Sequence, residues 1–368
     1  MSKKAEVTCS FIGLGLIGGS IVKALRQAYP EMILKAYDKD RNGLSLARKD
    51  GVISEAYEAL ADSFFDCDYL FLCAPVSEND QFLGRIRQSL HADTILTDVG
   101  SVKQTTHAAI EKAGLSSVFI GGHPMAGSEK TGYANSKRIL IENAYYMITP
   151  TGKNPDGAVD RYRNFVASLK ALPLVIDYHT HDYVTAGISH LPHIIASSLV
   201  NLVKDEDTKD GIMKLVAAGG FKDITRIASS SPEMWEQICM TNRKNISRIL
   251  TDYIASLEKI KDQLDEAKSG AIYHLFETSR DYRNSLPVKG NGPLARIYEI
   301  YCDMVDEAGG IATLATILAS NQISLKNIGI VHSREFIEAV LRIEFYDEES
   351  MKSAIEILRK HRYVIYER

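Results

Sequence analysis

The hexapeptide Gly13-Leu14-Gly15-Leu16-Ile17-Gly18 constrains this chain more than any other segment. It follows an apolar run at 7–12 and opens a stretch at 17–29 whose apolar residues recur with helical spacing. Glycine triplets arise often by chance. One that joins a strand to a helix near the start of an alternating β/α region has the context of a dinucleotide-binding turn. Gly13 permits the tight turn, Gly15 lets backbone approach a pyrophosphate, and Gly18 lets helix pack on strand. Leu16 and Ile17 then begin a helix whose free N–H groups and dipole suit phosphate. The competing reading is a glycine-rich turn that holds no ligand.

The rest of the first half supports the dinucleotide reading. Runs at 7–12, 33–37, 69–73, 94–97, 118–120, 145–149 and 174–176 read as strands, with helical stretches at 17–29, 43–49, 79–90 and 159–172 between some of them. That rhythm predicts right-handed crossovers and a mainly parallel, Rossmann-type doubly wound sheet over 1–178, with helices on both faces. Asp38 ends the second strand, 20 residues after Gly18. A carboxylate there accepts ribose hydroxyls and repels a 2′-phosphate, which favours NAD over NADP. Lys39 and Arg41 follow closely and leave the second coenzyme open. Ala74 and Pro75 follow the strand at 69–73, and Ser101 follows the strand at 94–97. Ligands of such sheets sit beyond the carboxyl ends of strands, so small residues there let a nicotinamide lie close. For Ala74 and Pro75 a plain turn is the alternative, and Cys73 reads as a small buried hydrophobe.

Past 179 the strand signal disappears. Stretches at 181–203 (broken by Pro192), 232–264 and 269–284 read as helices of an all-helical domain over 179–286. Their long apolar stripes need partners, which predicts a homodimer sharing helices. The segment 286–293, LPVKGNGP, reads as a linker. From 294 to 368, strands at 296–305, 323–331, 338–345 and 363–366 and helices at 310–320 and 348–360 give the ferredoxin-like order βαββαβ. The formal net charge of −4 argues against binding nucleic acid or an anionic membrane. Five widely spaced cysteines without a CxxC argue against disulfides and zinc and fit a reducing cytoplasm. The apolar N-terminal stretch is broken by glycine, and no run of 18 apolar residues occurs, so neither a signal peptide nor a membrane span is expected.

Gly121-Gly122-His123-Pro124-Met125-Ala126-Gly127-Ser128-Glu129 follows the strand at 118–120 and places His123 on the same rim as the dinucleotide turn. Oxidising an alcohol with a nicotinamide requires a proton acceptor, and imidazole titrates near neutrality. His190 and His193 are spaced to project from one helix face. Satisfied core histidines and a zinc site are their alternatives, and the zinc reading lacks further ligands.

The segments GLGLIGGS, DVGSVK, GGHPMAGSEKTG, ISHLPH and FKDITRIASSSPEMW together resemble the prephenate and arogenate dehydrogenase family, from about residue 7 to residue 285. The resemblance implies oxidative decarboxylation of prephenate by NAD, without a metal, because aromatisation drives the reaction. It implies that His123 takes up the hydroxyl proton and that Ser101 bridges hydroxyl, imidazole and nicotinamide. It assigns a substrate carboxylate to Arg226, whose guanidinium offers a planar fork. It gives His193 a contact with the substrate side chain, His190 a supporting place, and Glu129 a part in shaping the pocket. Trp235, the only tryptophan, is equally a packing residue or a pocket wall. The last block resembles an ACT domain, whose effector turn would comprise Asp306, Gly309, Gly310 and Ile311, with L-tyrosine as the effector that pathway logic implies; a structural dimerisation module is the alternative. Three rivals remain at this stage. One is an arogenate or dual-specificity cyclohexadienyl dehydrogenase. Another is a hydroxyacid dehydrogenase with an ACT tail, against which the early fingerprint counts. The last is a non-catalytic NAD and tyrosine sensor, against which Ser101, His123 and Arg226 count.

Overall fold

The computed structural model describes residues 7–128, 130–286, 298–303, 309–331 and 340–367, and the chain divides into two compact units, Met1–Leu286 and Pro287–Arg368.

In the first unit, β1 (Thr8–Ile12), β2 (Ile33–Tyr37), β3 (Glu55–Tyr57), β4 (Tyr69–Leu72) and β5 (Ile95–Asp98) form a parallel sheet in the order β3-β2-β1-β4-β5. The central strands are buried on both faces, as their unbroken apolar runs require. Phe11 and Phe71 stack across β1 and β4 with centroids 4.7 Å apart. On one face lie Ile21, Val22 and Leu25 of the helix Leu16–Ala28. The other is covered by Phe64, Phe65, Leu83, Ile86 and Ile110. The edge strand β3 is absent from the sequence reading because three residues with an exposed Glu55 carry no strand pattern.

A second sheet joins β6 (Ile120–Pro124), β7 (Tyr145–Pro150) and β8 (Leu172–Val175). A bridge from Leu96 to Phe119 sets it beside β5. The pair β6–β7 is antiparallel, a departure from the parallel rhythm. Among its described residues the connection between them carries 3₁₀ turns and no α-helix of the kind that makes a parallel crossover. The sequence ends this strand at 120 and puts His123 in a loop; the structure corrects both, since β6 runs through His123, which pairs with Met147. The predicted helix at 79–90 is likewise broken into Val76–Asn79, a 3₁₀ turn Asp80–Phe82 and Leu83–Ser89.

His107, on the helix Gln104–Lys112, is packed between Phe119 and Tyr178, with Nε2 3.0 Å from Thr149 Oγ1. Burial pushes its pKa down to about 4. The folded value lies below the unfolded one near 6.5, so this stabilisation is complete above pH 6.5 and is lost as pH falls toward 4. Denaturant unfolding should show about 2 kcal/mol less stability at pH 5 than at pH 7 from this group. His107→Gln should remove that share of the pH dependence; an unchanged slope would exclude His107 as its source.

The first unit ends in helices. One apolar helical stretch, Tyr178–Asp205, is long enough by composition to cross a membrane. Its first turns instead insert buried His181 and Asp182 into the protein, held to groups of the sheet domain. It is not uniformly α-helical. Ala186–His190 forms a π turn in which Leu191 N–H reaches back to Ala186 O. Pro192 follows immediately; a proline cannot donate in the ladder and clashes with the carbonyl four residues back, so the widened turn absorbs it. The predicted helix at 232–264 is two helices, Pro232–Thr241 and Arg243–Asp265, broken at the buried Asn242. The helix Ser269–Ser285 completes the unit.

In the second unit, β9 (Tyr298–Asp303), β10 (Leu325–Val331), β11 (Val340–Phe345) and β12 (Ile365–Glu367) form an antiparallel sheet in the order β10-β11-β9-β12. The helices Gly310–Ser320 and Glu348–Lys360 cover its core of Ile300, Leu314, Leu318, Ile343, Phe345 and Leu358. The element order is the βαββαβ expected from sequence.

Candidate active site

Glycine is required at the first position of the turn for two reasons. Gly13 has φ +96°, and a Cβ there would come within 2.6 Å of Ala74 N and 2.7 Å of Cys73 C. Gly15 differs, since a Cβ on it would meet nothing within 4 Å. Open space over that backbone is what a pyrophosphate needs. The helix Leu16–Ala28 starts there with no side-chain cap, so its first N–H groups are open to an anion. Asp38 stands past β2, its carboxylate accepting from Leu14 N and Asp40 N. Lys39 pairs with Glu78 at 2.6 Å and Arg41 with Glu58 at 2.8 Å, so both cations beside Asp38 already hold partners. Ala74 O accepts from Asn79 Nδ2 at 2.9 Å, which fixes the turn after β4. These features fit a dinucleotide carrying ribose hydroxyls.

Ser101 follows β5, next to β6. The two strand ends are tied by Asp98, whose carboxylate accepts from Gly100 N at 3.0 Å and Gly122 N at 3.2 Å and pairs with the buried Lys103. A Cβ on Gly122 would lie 2.7 Å from Asp98 O, so glycine lets β6 approach this closely. That contact, rather than loop geometry, explains the glycine before His123.

His123 is only 8% exposed. Its Nδ1 lies 2.8 Å from His181 Nε2, and His181 Nδ1 lies 2.8 Å from Asp182 Oδ1. Asp182 also accepts from Lys103 N at 2.7 Å and Gln104 N at 2.9 Å. Burial, and then the neighbouring His181, Lys103 and His190, hold the His123 pKa well below its ordinary value. Burial also lowers that of His181, against the pull of Asp182. Sequence reasoning missed His181, Asp182 and Asn242. The signal was the adjacent His-Asp pair at the start of a helix, which reads as solvated polar residues until the fold buries it.

Asn242 Nδ2 donates to Asp182 O at 2.7 Å and lies 3.2 Å from His190 Nδ1. His190 meets Trp235 edge-on at 6.0 Å, and His193 stacks on the same indole at 3.7 Å. Burial pushes the His190 pKa down to about 4. His193 Nδ1 donates to Ser189 O at 2.9 Å; burial and, less strongly, the Arg226 guanidinium lower its pKa. Arg226 begins the 3₁₀ turn Arg226–Ser229 and is exposed. His123, His181, His190, His193 and Arg226 therefore lie along one run of neighbouring groups with Trp235 between the last two histidines. Trp235 Nε1 is buried without a hydrogen-bond partner among the described residues. Glu129 and Asp306 lie outside the described residues. Gly309 has φ +95° and, with Gly310 and Ile311, forms the N-terminus of a helix in the second unit.

A family model described as the nucleotide-binding domain of prephenate dehydrogenase matches residues 21–174, and one described as its dimerization domain matches 177–278. A prephenate dehydrogenase of Bacillus subtilis (strain 168) is 36% identical over 349 residues, covering 94% of each chain. A cyclohexadienyl dehydrogenase of Zymomonas mobilis is 27% identical over 279 residues, 75% of this chain and 95% of its own. The solved prephenate dehydrogenase of Aquifex aeolicus, in complex with hydroxyphenyl propionate and NAD+, superposes with a TM-score of 0.71 at 29% identity, covering 77% of this chain and 99% of that one.

Proposed function

The chain belongs to the prephenate dehydrogenase family, and from that premise we propose that it converts prephenate with NAD to 4-hydroxyphenylpyruvate, carbon dioxide and NADH, a step toward L-tyrosine. The observation that carries this reading is the buried imidazole of His123 on the rim that also holds the open glycine turn.

NAD, when bound at the Gly13–Gly18 turn with its ribose at Asp38, supplies a hydride acceptor. The chain's own groups do the rest. His123 accepts the ring hydroxyl proton, and its burial keeps the ring neutral and ready to accept. Ser101 aligns that hydroxyl from the neighbouring strand end, and Ala74 and Pro75 leave room for a flat ring. The ring carboxylate leaves as carbon dioxide, its electron pair completing the aromatic ring, and His123 returns the proton to the ring oxygen to give the phenol. Arg226 holds a carboxylate of the dianion by a bidentate fork. His193 and His190, braced by Trp235, face the substrate side chain, and Trp235 Nε1, which has no partner among the described residues, offers one further donor. Glu129 would shape the same pocket.

Exposed Leu215, Tyr273, Phe276 and Tyr282 leave the helical region with apolar surface that a second copy would cover, as a dimerization domain requires. The five cysteines are free thiols, which suits a reducing cytoplasm. The second unit would sense L-tyrosine at the turn formed by Asp306, Gly309, Gly310 and Ile311. The second substrate reading, arogenate, is favoured by the likeness to a cyclohexadienyl dehydrogenase.

One assay separates these readings. The purified chain is given NAD with prephenate or with arogenate, each with and without L-tyrosine, and a chain ending at Leu286 is run alongside. Prephenate turnover to 4-hydroxyphenylpyruvate, inhibited by tyrosine only in the full chain, is expected. Faster turnover of arogenate would reassign the substrate, and equal inhibition of both chains would remove the effector from the second unit.

A further inference from the structure

We infer that His181 and Asp182 form a buried proton relay behind His123, so that the positive charge created by proton abstraction comes to rest on His181 against the Asp182 carboxylate. The inference deepens the proposed reaction and rests on the same site.

The hydrogen-bond chain fixes the tautomers. Asp182 accepts from the backbone N–H groups of Lys103 and Gln104, which hold it as an anionic acceptor at the start of the helix Gln104–Lys112. His181 Nδ1 faces the oxygen that also takes the Lys103 N–H, so this nitrogen carries the proton. Neutral His181 then presents a bare Nε2, and among the described residues the group 2.8 Å away that can donate to it is Nδ1–H of His123. His123 is left with a lone pair on Nε2. That tautomer is the one a general base needs.

The relay also resolves an energetic difficulty. His123, His181 and Asp182 are all buried, and a lone imidazolium at 123 would face the positive Lys103 and the neighbouring His190. Among the described residues, the titratable groups facing His181 are Asp182, Lys103, Asp98, His123, His190 and His107. Of the His123 and His181 rings, only His181 lies in hydrogen-bond contact with a carboxylate among the described residues. When the substrate hydroxyl gives its proton to His123 Nε2, His123 Nδ1 passes its own proton to His181 Nε2. His123 ends neutral, and His181 becomes the imidazolium paired with Asp182. As the carboxylate leaves and the ring aromatises, the proton returns by the same two bonds, and His123 Nε2 gives it back to the ring oxygen, so the product departs as the phenol. The hydroxyl proton is lent and returned, and no proton is gained or lost over the cycle.

Two measurements test this. Nitrogen-15 NMR of the histidine rings should show His123 and His181 both protonated on Nδ1 at neutral pH in the enzyme without substrate. A proton on Nε2 of His123 would overturn the relay. Single-turnover rates in mixtures of light and heavy water should fall along a bowed curve in the wild type, since two protons move together. His181→Gln keeps an acceptor for His123 Nδ1–H and cannot take up a proton. It should turn over about 10²-fold more slowly, with KM for prephenate within threefold, and its solvent curve should be straight. A straight line for the wild type, or wild-type kcat in the variant, would also overturn the relay. The NMR result does not depend on the substrate. Failure of the prephenate reading would appear as no turnover with the tautomers as stated, and failure of the relay as turnover with the wrong ones.

Discussion

His123→Asn should lower kcat by 10²- to 10⁴-fold, the usual span for losing a positioned acid–base group, while prephenate affinity changes by a few-fold at most. The asparagine amide can still donate toward His181 Nε2, where His123 Nδ1 now lies 2.8 Å away, so the β6 end and the buried chain behind it keep a partner. What disappears is the acceptor at the position of Nε2. The substrate's carboxylates are held elsewhere, by Arg226 and the groups around Trp235, so binding should survive. Steady-state kinetics with a separate binding titration measure the two effects. Unchanged kcat would take His123 out of the chemistry.

Substituting the glycine turn should produce two distinct losses. In Gly13→Ala the new methyl meets backbone of Ala74 and Cys73 at 2.6–2.7 Å, at a φ of +96° that alanine resists. Backbone cannot yield as a flexible side chain does, so the end of β4 or the turn must move. A cost of about 1–3 kcal/mol in stability is expected, together with loss of NAD binding. In Gly15→Ala the methyl meets no protein atom within 4 Å. Stability should then stay near wild type, while NAD affinity falls at least about tenfold because the methyl occupies the approach of the pyrophosphate. Thermal melts with NAD titrations on both variants separate the cases. Wild-type NAD affinity in Gly15→Ala would mean that the cofactor does not lie on this turn.

The parallel sheet was legible because each buried strand is an unbroken apolar run and each is followed by helical spacing. Short polar β3 left no such trace. The β6 strand was read too short because glycine, glycine and proline look like a turn; the close approach of Gly122 to Asp98 shows that here they make a strand that hugs its neighbour. The His181–Asp182 pair was hidden for a geometric reason. Nine residues separate His181 from His190, about two and a half turns of α-helix, which would set them on opposite faces. The π turn at Ala186–His190 alters that phase, and both rings are buried. Asn242 was invisible for a similar reason, since an asparagine inside an amphipathic stretch reads as solvated. In the fold it breaks the helix and ties Asp182 to His190. Periodicity reports the regular parts of a chain, and the polar links of this site stand where regularity stops.

The central claim is that the dinucleotide turn, His123 and Arg226 act on one bound molecule. A crystal structure with NAD and an unreactive hydroxylated analogue of prephenate measures this directly. The account predicts the analogue's ring hydroxyl in hydrogen-bond contact with His123 Nε2, its ring carbon against the nicotinamide, and a carboxylate on Arg226. An analogue seated away from His123, or a nicotinamide directed away from β6, would contradict it.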